Sequence, residues 1–179
     1  MKLKSLLFFF FTLCFINLAN AAALSNTSEA YYTNKQIAEW SKTITTHAFT
    51  MDYEHAHNQL NSLERHFTKQ GWQEFRIAMA ESGNIYALIQ GKLHSTATIE
   101  EYPKIESTKV VDNAYQWIVT MPVDVVFADR NDKQVTEERL YVSLRIVRTT
   151  PEERLKGLAI SQFIAHHDPV DIHSDHIEK

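Results

Sequence analysis

The residues best suited to chemistry crowd the C-terminal end. The run His166-His167-Asp168-Pro169-Val170-Asp171-Ile172-His173-Ser174-Asp175-His176 holds four imidazoles and three carboxylates. Imidazole nitrogen and carboxylate oxygen together form an ordinary ligand set for zinc. An ion bound there must order a charged segment interrupted by Pro169, and must offset the chain entropy this removes. The composition therefore predicts a solvated, disordered His- and Asp-rich tail over 167–179, with His166, His167, His173 and His176 as metal-ligand candidates. His55 and His57 stand two apart on a predicted helix, about 200° around its axis, so they do not share an ion.

Other chemistry finds little footing. The chain has no Gly-rich phosphate loop, no Gly-x-Ser-x-Gly elbow and no His-Glu-x-x-His zinc helix. Its single cysteine, Cys14, lies in an N-terminal stretch that reads as an export signal. Lys2 and Lys4 precede a largely apolar run from Leu6 to Ile16, and Ala19-Asn20-Ala21 is a small-x-small site with cleavage between Ala21 and Ala22. The run is about half the ~20 residues that a spanning helix needs. The expectation is a cleaved signal over 1–21 and a periplasmic product; the alternative is an uncleaved anchor in the inner membrane. Without the signal, 16 basic residues face 22 acidic ones, a net charge of −6 with His neutral. That balance argues against general nucleic-acid binding, which needs clustered Lys and Arg to neutralise phosphates.

Polar residues on strands give two more candidate groups. Asp124, His94 and Tyr141 would matter in an enzyme with an internal pocket, but strand parity puts Asp124 opposite the apolar face of Val123 and Val125. The expectation is an outer-face role for these residues, with neither catalysis nor a cofactor. Arg139, Tyr141 and Arg145 share odd parity on one strand, and Arg and Tyr are enriched at protein interfaces. They are the candidate interface residues.

These residues need elements to hold them. After a flexible leader over 22–32, Thr33 and Gln36 form a capping box, and Ile37, Trp40, Ile44 and Ala48 recur at helical spacing, which predicts a helix over 34–47. Asp52 as cap and Tyr53, Ala56, Leu60, Leu63 and Phe67 on one face predict a second. A third begins near Gly71 with Trp72, Phe75 and Met79 and stops at Gly83, and a fourth spans 84–90 and closes at Gly91. From there the period becomes 2. Strands are predicted over 93–99, over 105–111 with a turn at Asp112-Asn113, and from Tyr115 to Phe127 with a bulge or bend at Pro122. A hairpin at 129–132 leads to a return strand through Leu140, Val142, Leu144 and Ile146, and a last connection to 158–165. Helices first and an antiparallel meander second predict an α+β domain over 33–166, its N-terminal helices packed on one face of a bent antiparallel sheet.

That order resembles the cone-shaped folds of the nuclear-transport-factor-2-like group. Three motifs narrow the resemblance: Phe67-Thr68-Lys69-Gln70-Gly71-Trp72-Gln73-Glu74-Phe75, then Ala114-Tyr115-Gln116-Trp117-Ile118-Val119 with Met121-Pro122-Val123, then Ile160-Ser161-Gln162-Phe163. Together they resemble the periplasmic domain of the DotI/IcmL family of type IVB (Dot/Icm) secretion systems, related to the conjugation protein TraM. The resemblance runs from about Trp40 to Ile164. It implies a non-catalytic protein that works by association with other secretion subunits or with itself. Family members in the apparatus carry a cytoplasmic segment and a full transmembrane helix ahead of this domain, whereas here a short signal-like run stands in that place. The resemblance therefore leaves open a structural subunit or an unanchored accessory. A cone-fold protein with a ligand or catalytic pocket, or a metal binder through the His-rich tail, are the alternatives.

Overall fold

A computed structural model describes residues 27–150 and 154–167. The proposed cleavage site at Ala21 and Ala22, and the candidates His173 and His176, lie outside the described residues. Helix α1 spans Asn34–Phe49 and is held at its start by the predicted capping box. The Thr33 hydroxyl accepts the Gln36 amide at 3.2 Å, and the Gln36 carboxamide accepts the Thr33 amide at 2.9 Å. Its inner face buries Ile37, Ala38, Ile44 and Ala48.

The predicted second helix is broken up. Strand β1, Met51–Asp52, comes first, then helix α2, Ala56–Ser62, then a 3-10 turn, Glu64–His66. The helical period was read correctly in that Ala56, Leu63 and Phe67 are all buried. A tertiary demand overrides it at both ends. Met51 and Asp52 pair with Ser95 and His94, and the Asp52 carboxylate accepts the Glu54 amide in a tight turn instead of capping a helix. Phe67 is extended, with φ −111° and ψ 154°, because it forms a parallel bridge to Ile160.

Helix α3, Lys69–Glu81, starts from a Thr68 cap, two residues ahead of Gly71. Helix α4, Asn84–Gly91, follows Gly83, whose φ of 72° makes the reversal between the two helices. The stop predicted at Gly91 falls one residue later: Gly91 is still helical, and Lys92 takes the left-handed position with φ 52°.

The sheet contains β2 (His94–Thr98), β3 (Lys104–Val111), β4 (Ala114–Ala128), β5 (Gln134–Arg148) and β6 (Leu158–His167), all antiparallel, in the order β1-β2-β4-β5-β6. β3 and β2 share one side of β4, which pairs with β3 up to Thr120 and with β2 from Asp124 onward. The β3–β4 turn uses Asp112 and Asn113 at φ 50° and 61°, the paired left-handed geometry of a two-residue hairpin. The bulge predicted at Pro122 is absent. Pro122 stays in register with Tyr141, and it sits in the gap between Thr120 and Asp124, where neither β2 nor β3 pairs with β4. A missing donor is tolerated where no ladder needs it. The register shifts fall elsewhere, at Ile105/Ser107, Phe127/Ala128 and Arg145/Ile146.

The core lies between α1, α3, α4 and the inner face of the curled sheet, with Trp117, Val119, Met121, Val123, Val142, Leu144 and Ile146 almost fully buried. At ~25 cal/mol per Å² of apolar surface removed from water, each such side chain contributes about 1.5–3 kcal/mol against its ordering cost. Among the described residues no helix is long and apolar enough to cross a membrane.

Residues 27–32, read as leader, are strapped to the sheet: the Tyr115 amide donates to the Thr27 carbonyl at 2.7 Å, and the Tyr32 hydroxyl donates to the Lys156 carbonyl at 2.5 Å. The Arg148 guanidinium lies 5.3 Å from the Tyr31 ring centre and 5.8 Å from that of Tyr32, so a buried charge is set against two ring faces. At the other end β6 continues through His167, which pairs with Leu140.

Candidate interaction surfaces

The motif around Gly71 positions the first surface. The Thr68 hydroxyl accepts the Gly71 amide at 3.0 Å, and the Thr68 amide donates to the Ile160 carbonyl at 2.9 Å, so the start of α3 is pinned on the edge of β6. Gly71 makes this approach possible because a Cβ there would meet the Ile160 carbonyl oxygen at 2.6 Å. Trp72 and Phe75 then turn inward onto Phe67, with ring centres 5.6 and 4.9 Å away, and Phe75 meets Phe163 of β6 at 4.9 Å. The spaced aromatic residues of the motif are thus one cluster that fixes the tilt of α3 over the sheet.

With its inner side so anchored, α3 and α4 present the opposite side to solvent. Ile77 is 57% exposed and Tyr86 70% exposed, with Ala78, Ala80 and Ala87 exposed beside them. From Ile77 to Gly91 the sole charged residue is Glu81. On α3 Lys69, Glu74 and Arg76 are exposed as well, so the charge-poor stretch is the end of α3 and α4, where solvent-facing helix positions are normally charged or polar. Beside it, between α3 and the ends of β5 and β6, a groove of about 160 Å³ is floored by Phe49, Phe75, Met79, Leu140 and Phe163, with Glu138 and His167 at its rim. Sequence reasoning did not single out this surface, although the near-absence of charge over 77–91 was a legible signal.

The second surface is the outer face of the sheet. Arg139, Tyr141 and Arg145 do share it, as strand parity predicts, since their partners across β4 are Asp124, Pro122 and Ile118. Arg139 is engaged within the chain, 3.4 Å from both Asp124 and Glu101. Tyr141 is half-buried against the His166 ring at 5.6 Å, while Arg145 is exposed. Ile164, 44% exposed, stands on the same face of β6 opposite Ser143.

The residues weighed for catalysis are not brought together. Asp124 pairs with Arg139 on the outer face, and Tyr141 lies there too. His94 is at the far end of β2, its Nε2 3.3 Å from an Asp132 carboxylate oxygen. Between the helices and the sheet a space of about 20 Å³ remains, lined by apolar side chains with Asn84 and Ser95. Ser95 is occupied structurally: its hydroxyl donates to the Phe49 carbonyl at 2.8 Å and accepts the Met51 amide at 3.1 Å.

The metal candidates divide in the same way. His166 and His167 are neighbours on a strand and point to opposite faces, so they do not face one ion together. His55 precedes α2 instead of sitting on it, and is exposed near Asp52 and Glu54, a trio close enough in space to approach one ion. Asp52 there already accepts the Glu54 amide, and Glu54 accepts the Tyr53 hydroxyl at 2.6 Å, so the trio is a turn with its own internal bonds. His66 is half-buried edge-on to Trp40, and its pKa is held down to about 4, first by loss of solvent and then by the charges of Arg65, His47 and Lys156.

Helices laid on one face of a curled antiparallel sheet define an α+β domain. The sequence pattern of the family described as "Type-IV b secretion system, inner-membrane complex component" (DotI/IcmL) matches residues 17–167, and the chain belongs to this family. Among solved structures it is similar to the periplasmic domain of DotI, at 25% identity and a TM-score of 0.74, covering 78% of this chain and 99% of that one. A periplasmic fragment of TraM shares the fold at 21% identity and a TM-score of 0.68, covering 78% and 100%. So does an IcmL-like type IV secretion system protein of Legionella pneumophila, at 19% identity and a TM-score of 0.68, covering 78% and 96%. No curated protein matches the chain. The resemblance read from the three motifs is therefore borne out at the level of family and fold.

Proposed function

We propose that this chain is a non-catalytic periplasmic protein of a type IVB secretion or conjugation apparatus, structural or accessory, that works by binding other subunits or a second copy of itself. The observation that carries this reading is the exposure of two large apolar side chains, Ile77 on α3 and Tyr86 on α4, in a domain whose α3 also lines an apolar groove with Ala78 and Met79. Exposed large apolar and aromatic side chains are what protein interfaces use as anchors. Family membership and the similarity to a periplasmic domain support the compartment and the partner class. In this reading the N-terminal run is an export signal removed between Ala21 and Ala22, and the outer face with Arg139, Tyr141 and Arg145 is a second contact surface.

The test is capture in the native cell. A photo-crosslinking residue at Tyr86 should trap a secretion subunit or a second copy, and the double change Ile77→Asp with Tyr86→Asp should reduce co-purification about tenfold or more while leaving the melting temperature within about 2 °C. Unchanged co-purification would remove this surface from consideration. Sequencing the mature N-terminus separates a product that starts at Ala22 from one retained by its N-terminal run.

A further inference from the structure

Along β5 every second residue from Leu140 to Ile146 faces the core, and each of these is buried. One step earlier on the same face stands Glu138, directly opposite the buried Val125 of β4. A half-buried carboxylate thus holds an inner-face position and lines the groove floored by Phe49, Phe75, Met79, Leu140 and Phe163. Among the described residues no ion pair reaches it. Its chain neighbours are engaged elsewhere: Glu137 accepts the Gln134 carboxamide at 3.1 Å, and Arg139 faces the other way, onto Asp124 and Glu101. His167, opposite Leu140 on the same rim, makes no ion pair with it either. A carboxylate partly stripped of water beside apolar walls is unfavourable, and an incoming positive charge relieves it.

The walls suit the rest of such a ligand. Phe49 and Phe75 have ring centres 5.9 and 4.9 Å from that of Phe163, and the Met79 thioether lines the same space. Ring faces attract cations, and rings and thioether alike pack on methylenes. At about 160 Å³ the groove is smaller than the ~300–1,000 Å³ of a small-molecule site, and near the ~150 Å³ that holds one benzene-sized group. It therefore admits a single side chain. Lysine and arginine join an apolar stem to a positive head, and a chain of net charge −4 draws basic partners.

We propose that the groove between α3 and the ends of β5 and β6 receives a lysine or arginine side chain of a partner subunit, its stem on Phe49, Phe75, Phe163 and Met79 and its charge on Glu138. This rests on the reading of the protein as one that docks partners, and it names the chemistry of the residue docked. The exposed apolar residues supply contact area. Glu138 supplies the choice of a basic residue over a neutral one of the same shape.

The test has two arms. In the first, the purified chain with isotope-labelled methionine methyl groups is titrated with n-butylammonium and with n-butanol at constant ionic strength, and read by NMR. The Met79 methyl reports on the groove, and the Met121 methyl, enclosed in the core, is the reference. n-Butylammonium should shift Met79 saturably and bind about fivefold tighter than n-butanol. Glu138→Gln should abolish that preference, and Glu137→Gln, on the opposite face, should keep it. Equal binding of the two probes by the parent chain, a preference that survives Glu138→Gln, or a Met79 signal that does not move would each overturn the proposal. In the second arm, Glu138→Lys should reduce co-purification of the partner about tenfold while Glu137→Lys leaves it unchanged. Equal co-purification by the two variants overturns the partner as occupant. Capture at Tyr86 without the ammonium preference sinks this proposal and leaves docking standing. The preference without capture sinks the docking reading, and with it the partner as source of the cation.

Discussion

Replacing Gly71 by alanine tests whether α3 is positioned by backbone contact with β6. A methyl group at this site would lie 2.6 Å from the Ile160 carbonyl oxygen and 2.9 Å from that of Ser161. Both obstructing atoms are main chain in a strand laddered to β5, so neither rotates aside. α3 has to retreat by roughly 1 Å to reach ordinary contact distance, and this loosens Trp72 and Phe75 from Phe67 and Phe163. Overpacking of this kind costs about 1–3 kcal/mol, and weakening the Thr68 bond to Ile160 adds about 1 kcal/mol. Alanine in place of glycine returns about 1 kcal/mol of helix propensity. The net expectation is a loss of about 1–3 kcal/mol, which for a domain of this size lowers the melting temperature by about 3–10 °C. Gly83→Ala is the comparison. At φ 72° with nothing within 4 Å, it meets only left-handed strain of about 1–2 kcal/mol. Thermal unfolding followed by circular dichroism measures both. If Gly71→Ala melts at or above the parent temperature, the close-approach argument is wrong.

Two further outcomes follow from the same packing. The His66 ring is held neutral, with its folded value near 4 against an ordinary 6.5, so the unfolded chain takes up the proton first as pH falls. Its contribution is fully present above pH 6.5 and is lost progressively between there and about 4. Because the ring is only half-buried, solvent screening reduces this to on the order of 1 kcal/mol. Denaturant unfolding at pH 7 and pH 5 should show a stability difference that shrinks by that amount in His66→Gln, and an unchanged difference would refute the assignment. Thr33→Ala removes both the hydroxyl that accepts the Gln36 amide and the reciprocal geometry of the box, and should cost about 1 kcal/mol without affecting partner capture at Tyr86. A cost near zero by denaturant unfolding would mean that the N-terminal strap, not the cap, holds the start of α1.

Local chemistry was legible wherever a residue's neighbours in sequence are also its partners in space. Thr33 and Gln36 cap α1, Asp112 and Asn113 make the tight turn, and the alternation along β4 and β5 places Arg139, Tyr141 and Arg145 on one face. It failed where a distant strand decided the matter. Asp52 has the chemistry of a helix cap, yet its backbone is claimed by β2; Pro122 reads as a break, yet it falls in the gap between β3 and β2. The helical period of Trp72, Phe75 and Met79 already sets Ile77, two residues from Met79, on another side of α3, and the docking of the Phe67, Trp72 and Phe75 cluster on Phe163 shows which side meets the sheet.

The sequence by itself determined the α+β class, the ordered motifs that carry the family and the absence of a conventional catalytic or phosphate-binding motif, because residue type and spacing act within a few residues of chain. Tertiary structure alone decided where α3 docks along β6, which strands flank each part of β4, and where the candidate His, Asp and Tyr side chains stand apart. Those outcomes depend on the register of strands far apart in the chain, such as Phe67 against Ile160, and no local pattern encodes that register.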